Sequence, residues 1–255
     1  MKAGTRHLGR LGALLLVSAL SLQVYFLARV ALMRGVDPQS TSFQRSEAWR
    51  LLIAEGRFAW GQQWVDYPAI SVHLKRAVIA SEDAGFSEHS GVEWDALERA
   101  WERNQKAEAR AERLNERAAA AKTAAKARAP VAARLVGGST ITQQLAKNLF
   151  LAGERNFARK GQEMLITFML EATLPKQRIL EIYLNNVEWG EGLFGAEAAA
   201  RRYHRTSAAR LGPNAAARLA VMLPAPKRFE KRPNSAYVSG RAATVQARMS
   251  AVDVP

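Results

Sequence analysis

An uncharged run near the N-terminus constrains this chain more than any other feature. From Leu11 to Ala28 no residue is charged, and after Arg29 the apolar character continues from Val30 to Met33. A helix of about 20 apolar residues crosses the hydrocarbon core of a bilayer, and an arginine near its end reaches the interface. The run therefore predicts one transmembrane helix.

Basic residues orient this helix. Lys2, Arg6 and Arg10 precede it, and the positive-inside rule then places the N-terminus in the cytoplasm and the rest of the chain across the membrane. A cleaved signal peptide is the alternative, but its apolar core is usually about 7 to 15 residues long and ends in a small-x-small site, which this run lacks. A buried helix of a soluble domain would be less continuously apolar. We predict a cytoplasmic tip and uncleaved anchor at 1–35, followed by one domain at 36–255.

The net charge is strongly positive but unevenly distributed. The 255 residues carry 37 Lys and Arg against 23 Asp and Glu, a net +14 that first suggests nucleic acid, an anionic membrane or a phosphorylated substrate as a partner. Residues 1–10, 102–134 and 201–232 hold +3, +5 and +8 of this charge, so the remaining body is nearly neutral. The absence of cysteine excludes a disulfide framework, thiolate metal sites and a cysteine nucleophile.

Beyond residue 64 the spacing of apolar residues predicts a mainly α-helical body without a sheet of several strands. Capping boxes, glycines and prolines divide it into helices that begin near residues 68, 90, 140, 157, 176, 196 and 213. Residues 102–134 form an inserted connector rich in Ala and Arg. Because this connector has no apolar face to bury, it is predicted to be a solvated helix or a mobile loop.

Glu82 is the first candidate for chemistry. The helical stripe of Ile70, Leu74 and Val78 leads directly to it, and Asp83 is its neighbour. A carboxyl group at the edge of an apolar surface, beside a second carboxyl group, is expected to have a raised pKa, which suits a general acid or base. The alternative is a helix-end charge turned to water.

Glu163 is a second candidate carboxylate. It follows Arg159 and Lys160 at helical spacing and shares a polar stripe with Thr167 and Glu171. The opposite stripe consists of Leu165, Phe168 and Met169. The alternative is a solvated face with surface ion pairs worth a few tenths of a kcal/mol.

A third candidate is the Gly-Gly-Ser-Thr entry to the helix near residue 140. Its free backbone donors and hydroxyl groups lie at a positive helix end, which favours phosphate binding. The polar face of the helix carries Thr140, Gln143, Gln144 and Lys147. The alternative is an ordinary glycine-rich helix start.

Two other patterns carry no chemistry. Residues 190–195 fit the dinucleotide pattern G-x-G-x-x-G, but they follow a predicted helix and not a strand. The four histidines lack metal-ligand spacing, and His89 is interpreted as a structural hydrogen-bonding residue near Glu82.

Four motifs, in order, resemble those of the peptidoglycan glycosyltransferase family. Residues 82–91 resemble E-D-x-x-F-x-x-H-x-G, and residues 137–148 match the second motif, G-G-S-T-I-T-Q-Q-L-A-K-N. Residues 159–163 fit R-K-x-x-E, and residues 176–185 fit the fourth motif, K-Q-R-I-L-E-I-Y-L-N. The resemblance covers roughly residues 60–235 and is strongest to the monofunctional biosynthetic members of the family.

The resemblance implies an all-α, lysozyme-like glycosyltransferase domain with one N-terminal transmembrane helix. It implies a catalytic domain on the periplasmic side of the bacterial inner membrane, which polymerises lipid II with inversion at the anomeric carbon and release of undecaprenyl pyrophosphate. The implied partners are lipid II, the lipid-linked glycan strand, the inner membrane, and cell-division or elongation proteins, with no nucleic acid. A divalent cation such as Mg²⁺ is the candidate cofactor, with no organic cofactor.

The resemblance also assigns roles to residues. By its motifs, Glu82 is the general base for the acceptor 4-hydroxyl group, and Glu163 is a second essential carboxylate. The donor pyrophosphate is held by Ser139, Lys147 and Arg155. The supporting and substrate-binding residues are Asp83, Thr140, Gln143, Gln144, Asn148, Arg159 and Lys160.

Two rival functions remain at this point. A lytic enzyme could cut existing glycan on a lysozyme-like scaffold, because a lone glutamate can serve as the acid in that reaction. A membrane-tethered basic adaptor could bind nucleic acid or anionic lipid without catalysis, and it would not need Glu82.

Overall fold

The computed structural model describes residues 2–120, 132, 138–151 and 156–255, which form helices and one small sheet. In chain order the helices are α1 (Lys2–Leu32), α2 (Ser42–Glu55), α3 (Val72–Glu82), α4 (Trp94–Ala120), α5 (Ile141–Phe150), α6 (Phe157–Thr173), α7 (Lys176–Asn186), α8 (Ala196–His204), α9 (Pro213–Met222), α10 (Pro226–Phe229) and α11 (Ala236–Arg248). Two compact units result, one of residues 1–91 with 141–255 and one of residues 92–140. The predicted helical class is confirmed.

The sheet of the first unit has three very short strands, β1 (Gly61–Gln62), β2 (Glu188–Gly190) and β3 (Leu193–Phe194). The central strand β3 pairs parallel to β1 and antiparallel to β2. The prediction that no sheet of several strands forms was therefore wrong. Strands of two or three residues are too short to show an alternation of apolar and polar residues, which is why the sequence did not reveal them.

The glycine pattern at 190–195 builds the β2–β3 hairpin and the entry to α8. Gly195 has φ +82°, and a Cβ atom there would lie 2.7 Å from the backbone oxygen of Asn185. Only glycine accepts both constraints. These glycines therefore serve backbone geometry, and the rejection of a dinucleotide site is consistent with their position.

Helix α3 runs through the core of the first unit. The Ser71 side chain caps its start by accepting a hydrogen bond from the backbone N–H of His73, and Leu74 and Val78 are fully buried. The helix packs against α9 and α11. This packing holds α3 in place, so that Glu82, its last residue, lies at the C-terminal end of a rigid apolar helix. Helices α2, α10 and α11 were not predicted from the sequence.

Helices α5, α6 and α7 form the second part of this unit, with α5 packed against the other two. The Asn156 side chain caps α6 by accepting a hydrogen bond from the N–H of Arg159 at 2.7 Å. Pro175 separates α6 from α7, as the sequence indicates. The predicted spans of α6 and α7 agree with the structure to within one residue.

Helix α1 is long and apolar enough to cross a membrane over residues 9–32, with most of that stretch exposed. The last turns of α1 instead pack against the rest of the first unit, where Phe26 and Val30 are buried. The rings of Phe26 and Phe150 lie edge to face, with their centroids 5.3 Å apart. Gln23 and Gln162 exchange two amide hydrogen bonds of 2.8 and 2.9 Å between α1 and α6. The exposed apolar part fits a membrane anchor.

The second unit contains α4. The predicted capping box places the start of this helix at Ser90, but the helix begins at Trp94. It continues to Ala120 and is largely exposed over residues 102–118, where Lys106 and Glu102 form an ion pair of 3.7 Å. The prediction of a solvated helix is confirmed for that stretch, and most of the remaining connector lies outside the described residues.

Candidate functional site

Glu82 lies at the C-terminal end of α3 with its side chain partly buried. Its Oε2 atom accepts a hydrogen bond of 3.1 Å from Nε2 of Gln144, and the Ser81 hydroxyl group lies 3.4 Å from Oε1. The carboxylate is therefore held by named partners, and the alternative of a charge turned to water does not describe it.

Burial is the main reason that the pKa of Glu82 is raised above its ordinary value of 4.5. The negative charge of Asp83 raises the pKa further, whereas the hydrogen bonds from Gln144 and Ser81 lower it, as does the positive charge of Arg241. The sequence-based expectation of a raised pKa is confirmed. A raised pKa makes the ionised carboxylate a stronger base, which suits general-base catalysis.

Asp83 is buried and connects two segments of the chain. Its Oδ2 atom accepts a hydrogen bond from the backbone N–H of Ile141 at 2.9 Å, and its Oδ1 atom lies 2.8 Å from Nε2 of His89. Nδ1 of His89 accepts a hydrogen bond from the N–H of Gly91, so Nε2 carries the proton that is donated to Asp83. The structural interpretation of His89 is confirmed.

Helix α5 brings the second motif to Glu82. Gln144 donates to Glu82 through Nε2, and its Oε1 atom accepts a hydrogen bond of 2.9 Å from the hydroxyl group of Tyr183 on α7. Lys147, which is exposed, and Asn148, which is half-buried, follow Gln144 by three and four residues. Residues at that spacing share a helix face, so a cation lies on the face of α5 that carries the contact to Glu82.

Glu163 is buried on α6 and carries two ion pairs. Its carboxylate lies 2.5 Å from Nζ of Lys160 and 3.5 Å from Nη1 of Arg159, and its backbone oxygen accepts a hydrogen bond from Thr167. Both Glu163 and Thr167 are almost fully buried. The alternative of a solvated face with surface ion pairs was therefore wrong for this stripe.

The predicted orientation of α6 is reversed for several residues. Leu165 and Phe168, expected to face the core, are 48% and 44% exposed, whereas Ile166 and Leu170 fill the core beside the polar stripe. Glu171 of that stripe accepts hydrogen bonds from Thr142 at 2.6 Å and from Lys176 at 2.9 Å. Polar partners on α5 and α7 make the burial of this polar stripe possible.

The other predicted site residues lie elsewhere on α5, in the second unit or outside the described residues. Gln143 is buried on α5 with its Nε2 atom 4.0 Å from the sulfur of Met164. Ser139 and Thr140 are the last two residues of the second unit. Arg155 lies outside the described residues.

Sequence reasoning missed Tyr183 as a residue of the site. The sequence places it only within the fourth motif, yet its hydroxyl group donates to Gln144 while the ring is fully buried. A buried tyrosine hydroxyl requires a hydrogen-bond partner, and this requirement is the signal that could have identified it.

The described residues include no group of three or more His, Asp or Glu side chains arranged to hold a metal ion. Mg²⁺ usually binds one or two carboxylates together with substrate phosphates, so it does not require such a group.

Comparison with known proteins gives a consistent result. The family model described as "Transglycosylase" matches residues 52–112 and 116–250. The biosynthetic peptidoglycan transglycosylase of Bordetella pertussis is 50% identical over 219 residues, which cover 86% of this chain and 82% of the relative. The protein of the same name from Paraburkholderia phytofirmans is 46% identical over 96% of this chain and 92% of the relative. The protein of the same name from Burkholderia lata is 47% identical over 98% of this chain and 93% of the relative.

Proposed function

Since this chain belongs to the transglycosylase family and is a peptidoglycan glycosyltransferase that uses lipid II, we propose the following reaction for it. Glu82 takes the proton from the 4-hydroxyl group of the acceptor sugar. The oxygen attacks the anomeric carbon of the lipid-linked strand with inversion, and the bond from that carbon to the pyrophosphate oxygen breaks. Undecaprenyl pyrophosphate leaves with the bonding electron pair.

The state of Glu82 is the observation that carries this proposal. Its carboxylate is partly buried, has a raised pKa and is held by Gln144 at 3.1 Å. A general base is most efficient when its pKa lies near the working pH, because it is then ionised before the reaction and basic enough to take the proton. Burial, together with the adjacent Asp83, raises the pKa of Glu82 in that direction.

The pyrophosphate leaving group requires a positively charged group of the protein beside it. Negative charge develops on the pyrophosphate as its bond to the sugar breaks, and a fixed cation stabilises that charge in the transition state. Lys147 is exposed on the face of α5 that also carries Gln144, which supports its assignment to the pyrophosphate. Ser139 and Arg155 are proposed for the same role from the family resemblance.

Glu163 is proposed as a positioning carboxylate. Buried and paired with Lys160 and Arg159, it fixes the direction of two cations on α6. The remaining proposed substrate-binding residues are Asp83, Thr140, Gln143, Gln144 and Asn148. Of these, Asp83 and Gln144 have contacts that organise Glu82 and its surroundings.

The proposed location is the bacterial inner membrane, with the N-terminus cytoplasmic and the catalytic domain periplasmic. The apolar helix at residues 9–32 and the preceding basic residues support this topology. A reporter that is active only in the periplasm, fused after Pro255, should be active, and the same reporter fused before Met1 should be silent. The reverse result would overturn the topology.

A polymerisation assay tests the reaction directly. Purified full-length protein in detergent with lipid II should form glycan strands, and Glu82→Gln should form none while keeping the wild-type thermal stability. Glu88→Gln is a matched control, because Glu88 lies in the loop that follows α3 and has an exposed side chain. Normal polymerisation by Glu82→Gln would remove Glu82 from the mechanism.

The same preparation distinguishes the rival activities. Release of soluble sugars from isolated cell wall, with no polymer formed from lipid II, would indicate a lytic enzyme. Lys147→Ala should reduce the use of the lipid-linked donor, and unchanged turnover would refute its assignment. Assistance by Mg²⁺ and contacts with cell-division or elongation proteins stay predictions.

A further inference from the structure

The side chain of Gln144 connects two groups on different helices. On one side its amide nitrogen lies 3.1 Å from the carboxylate of Glu82 at the end of α3. On the other side its amide oxygen lies 2.9 Å from the hydroxyl group of Tyr183 on α7. These three residues form a chain of hydrogen bonds that runs from the core to the proposed catalytic base.

The chemistry of the end groups fixes the direction of both hydrogen bonds. An ionised carboxylate can only accept hydrogen bonds, so Gln144 must present its NH₂ group to Glu82. Its oxygen then faces Tyr183, whose hydroxyl group must donate. Tyr183 is 1% exposed, so water does not compete for this hydroxyl group, and the amide is held in one orientation.

We propose that Tyr183 is a positioning residue for glycosyl transfer, which acts through Gln144 to keep the Glu82 carboxylate ionised and correctly aimed. This inference rests on the proposed function, because it assigns Glu82 the role of base. Donation by Tyr183 polarises the Gln144 amide and makes its N–H a stronger donor to the carboxylate. Gln144 is thereby given a role in holding the base, in addition to its predicted contact with substrate.

Charged and titratable groups also influence the Glu82 carboxylate directly, and their influence must be distinguished from that of the hydrogen-bond chain. Asp83 follows it in the chain, Arg241 acts on it from α11, and Tyr183 faces it from α7. Burial, together with the negative charges of Glu82 and Asp83, raises the pKa of Tyr183 well above its ordinary value. This hydroxyl group therefore stays protonated and able to donate throughout the working pH range.

Tyr183→Phe removes only the hydroxyl group and keeps the buried ring. We expect kcat for lipid II polymerisation to fall about tenfold with KM little changed, because the ground-state contacts with substrate remain. The acidic limb of the profile of kcat/KM against pH should move upward by about half to one pH unit. Tyr203→Phe is the matched control, since it removes the hydroxyl group of another tyrosine, one that donates to the backbone oxygen of Trp189 at 2.8 Å. It should lose stability without moving the limb.

A double-mutant cycle tests whether Tyr183 acts through Gln144. Gln144→Met keeps the length of the side chain but cannot donate, and it should shift the acidic limb further than Tyr183→Phe does. The double variant should shift it no more than Gln144→Met alone, because the two residues act in series. Additive shifts, or a Tyr183→Phe limb identical to that of the wild type, would overturn the proposal.

A titration without turnover separates this inference from the proposed reaction. In protein labelled with ¹³C at glutamate carboxyl groups, the Glu82 signal is identified by its loss in Glu82→Gln. Its pKa should rise in Tyr183→Phe and stay constant in Tyr203→Phe. A rise without any polymer formation by the wild type would support the hydrogen-bond chain and contradict the reaction, whereas polymer formation without a rise would contradict the chain alone.

Discussion

Oδ2 of Asp83 accepts a hydrogen bond from the backbone N–H of Ile141 at 2.9 Å, across 58 positions of sequence. The same carboxylate receives the Nε2–H of His89 through Oδ1. The residue beside the proposed base thus caps the first turn of α5, the helix that supplies Gln144. This buried side chain therefore joins the first motif to the second, as the hydrogen bond from Gln144 to Glu82 also does.

Asp83→Asn should destabilise the protein by about 1–3 kcal/mol, because an amide has one oxygen and cannot accept from both Ile141 and His89. One donor would then face the NH₂ group in a buried position. Thermal and denaturant unfolding measure the loss, with Glu88→Gln as an exposed control of equal charge change. Equal stability of the two variants would show that the bridge contributes nothing.

Glu188 should make stability depend on pH. Burial, together with the negative charges of Glu47 and Glu230, raises its pKa to about 7, although Lys227 opposes this shift. The folded protein therefore binds this proton more tightly than the unfolded chain, and the contribution of Glu188 to stability falls as pH rises from 4.5 to about 7.

Glu188→Gln should therefore be more stable than the wild type above pH 7, by about 3 kcal/mol for a shift of this size in a buried group. The difference between the two proteins should shrink as the pH is lowered toward 4.5. Unfolding free energies measured from pH 4.5 to 8 test this. Parallel curves for the two proteins would contradict the prediction.

Arg241 should influence the pKa of Glu82 through an electrostatic interaction that is screened by solvent. Its side chain is exposed on α11, and its positive charge lowers the pKa of Glu82. Arg241→Gln should therefore move the acidic limb of polymerisation to higher pH at low ionic strength. Because salt screens exposed charges, the shift should disappear near 1 M salt. Arg248→Gln, on the same helix, is the control, and a shift that persists in high salt would exclude this mechanism.

The contact between α1 and α6 can be tested by cross-linking, since the chain contains no cysteine. Cysteines placed at Gln23 and Gln162, whose amides exchange hydrogen bonds, should cross-link rapidly with a short bifunctional maleimide. A pair at Leu15 and Gln162 should not, because Leu15 lies about 12 Å further along the helix. Equal cross-linking of both pairs would contradict the packing of α1 on this unit.

The sequence predicted the helices well where apolar spacing and punctuation agree. Pro175 and the glycines around residue 195 mark real boundaries, and α6, α7, α8 and α9 fall within one residue of their predicted spans. The short strands and helices α2, α10 and α11 were not predicted. Their formation depends on partners distant in the sequence, since β1 pairs with β3 and α11 packs on α3 and α9.

The face of α6 shows why part of the site could not be predicted. Amphipathic spacing assigns Leu165 and Phe168 to the core and Glu163 to solvent, because each helix is considered alone. In the structure Glu163 is buried with its two cations, and Leu165 and Phe168 are about half exposed. A carboxylate becomes tolerable in the interior only when partners for its charge are present.

The long apolar helix near the N-terminus, the helical class and the chemical groups of the site follow from residue type and spacing, which are local properties. Which of these groups meet depends on the tertiary structure. Only folding brings Gln144 between Glu82 and Tyr183, and only folding buries the carboxylate, which is the main cause of its raised pKa. Hydrogen-bond geometry and desolvation depend on neighbours that are far away along the chain, and no local pattern encodes them.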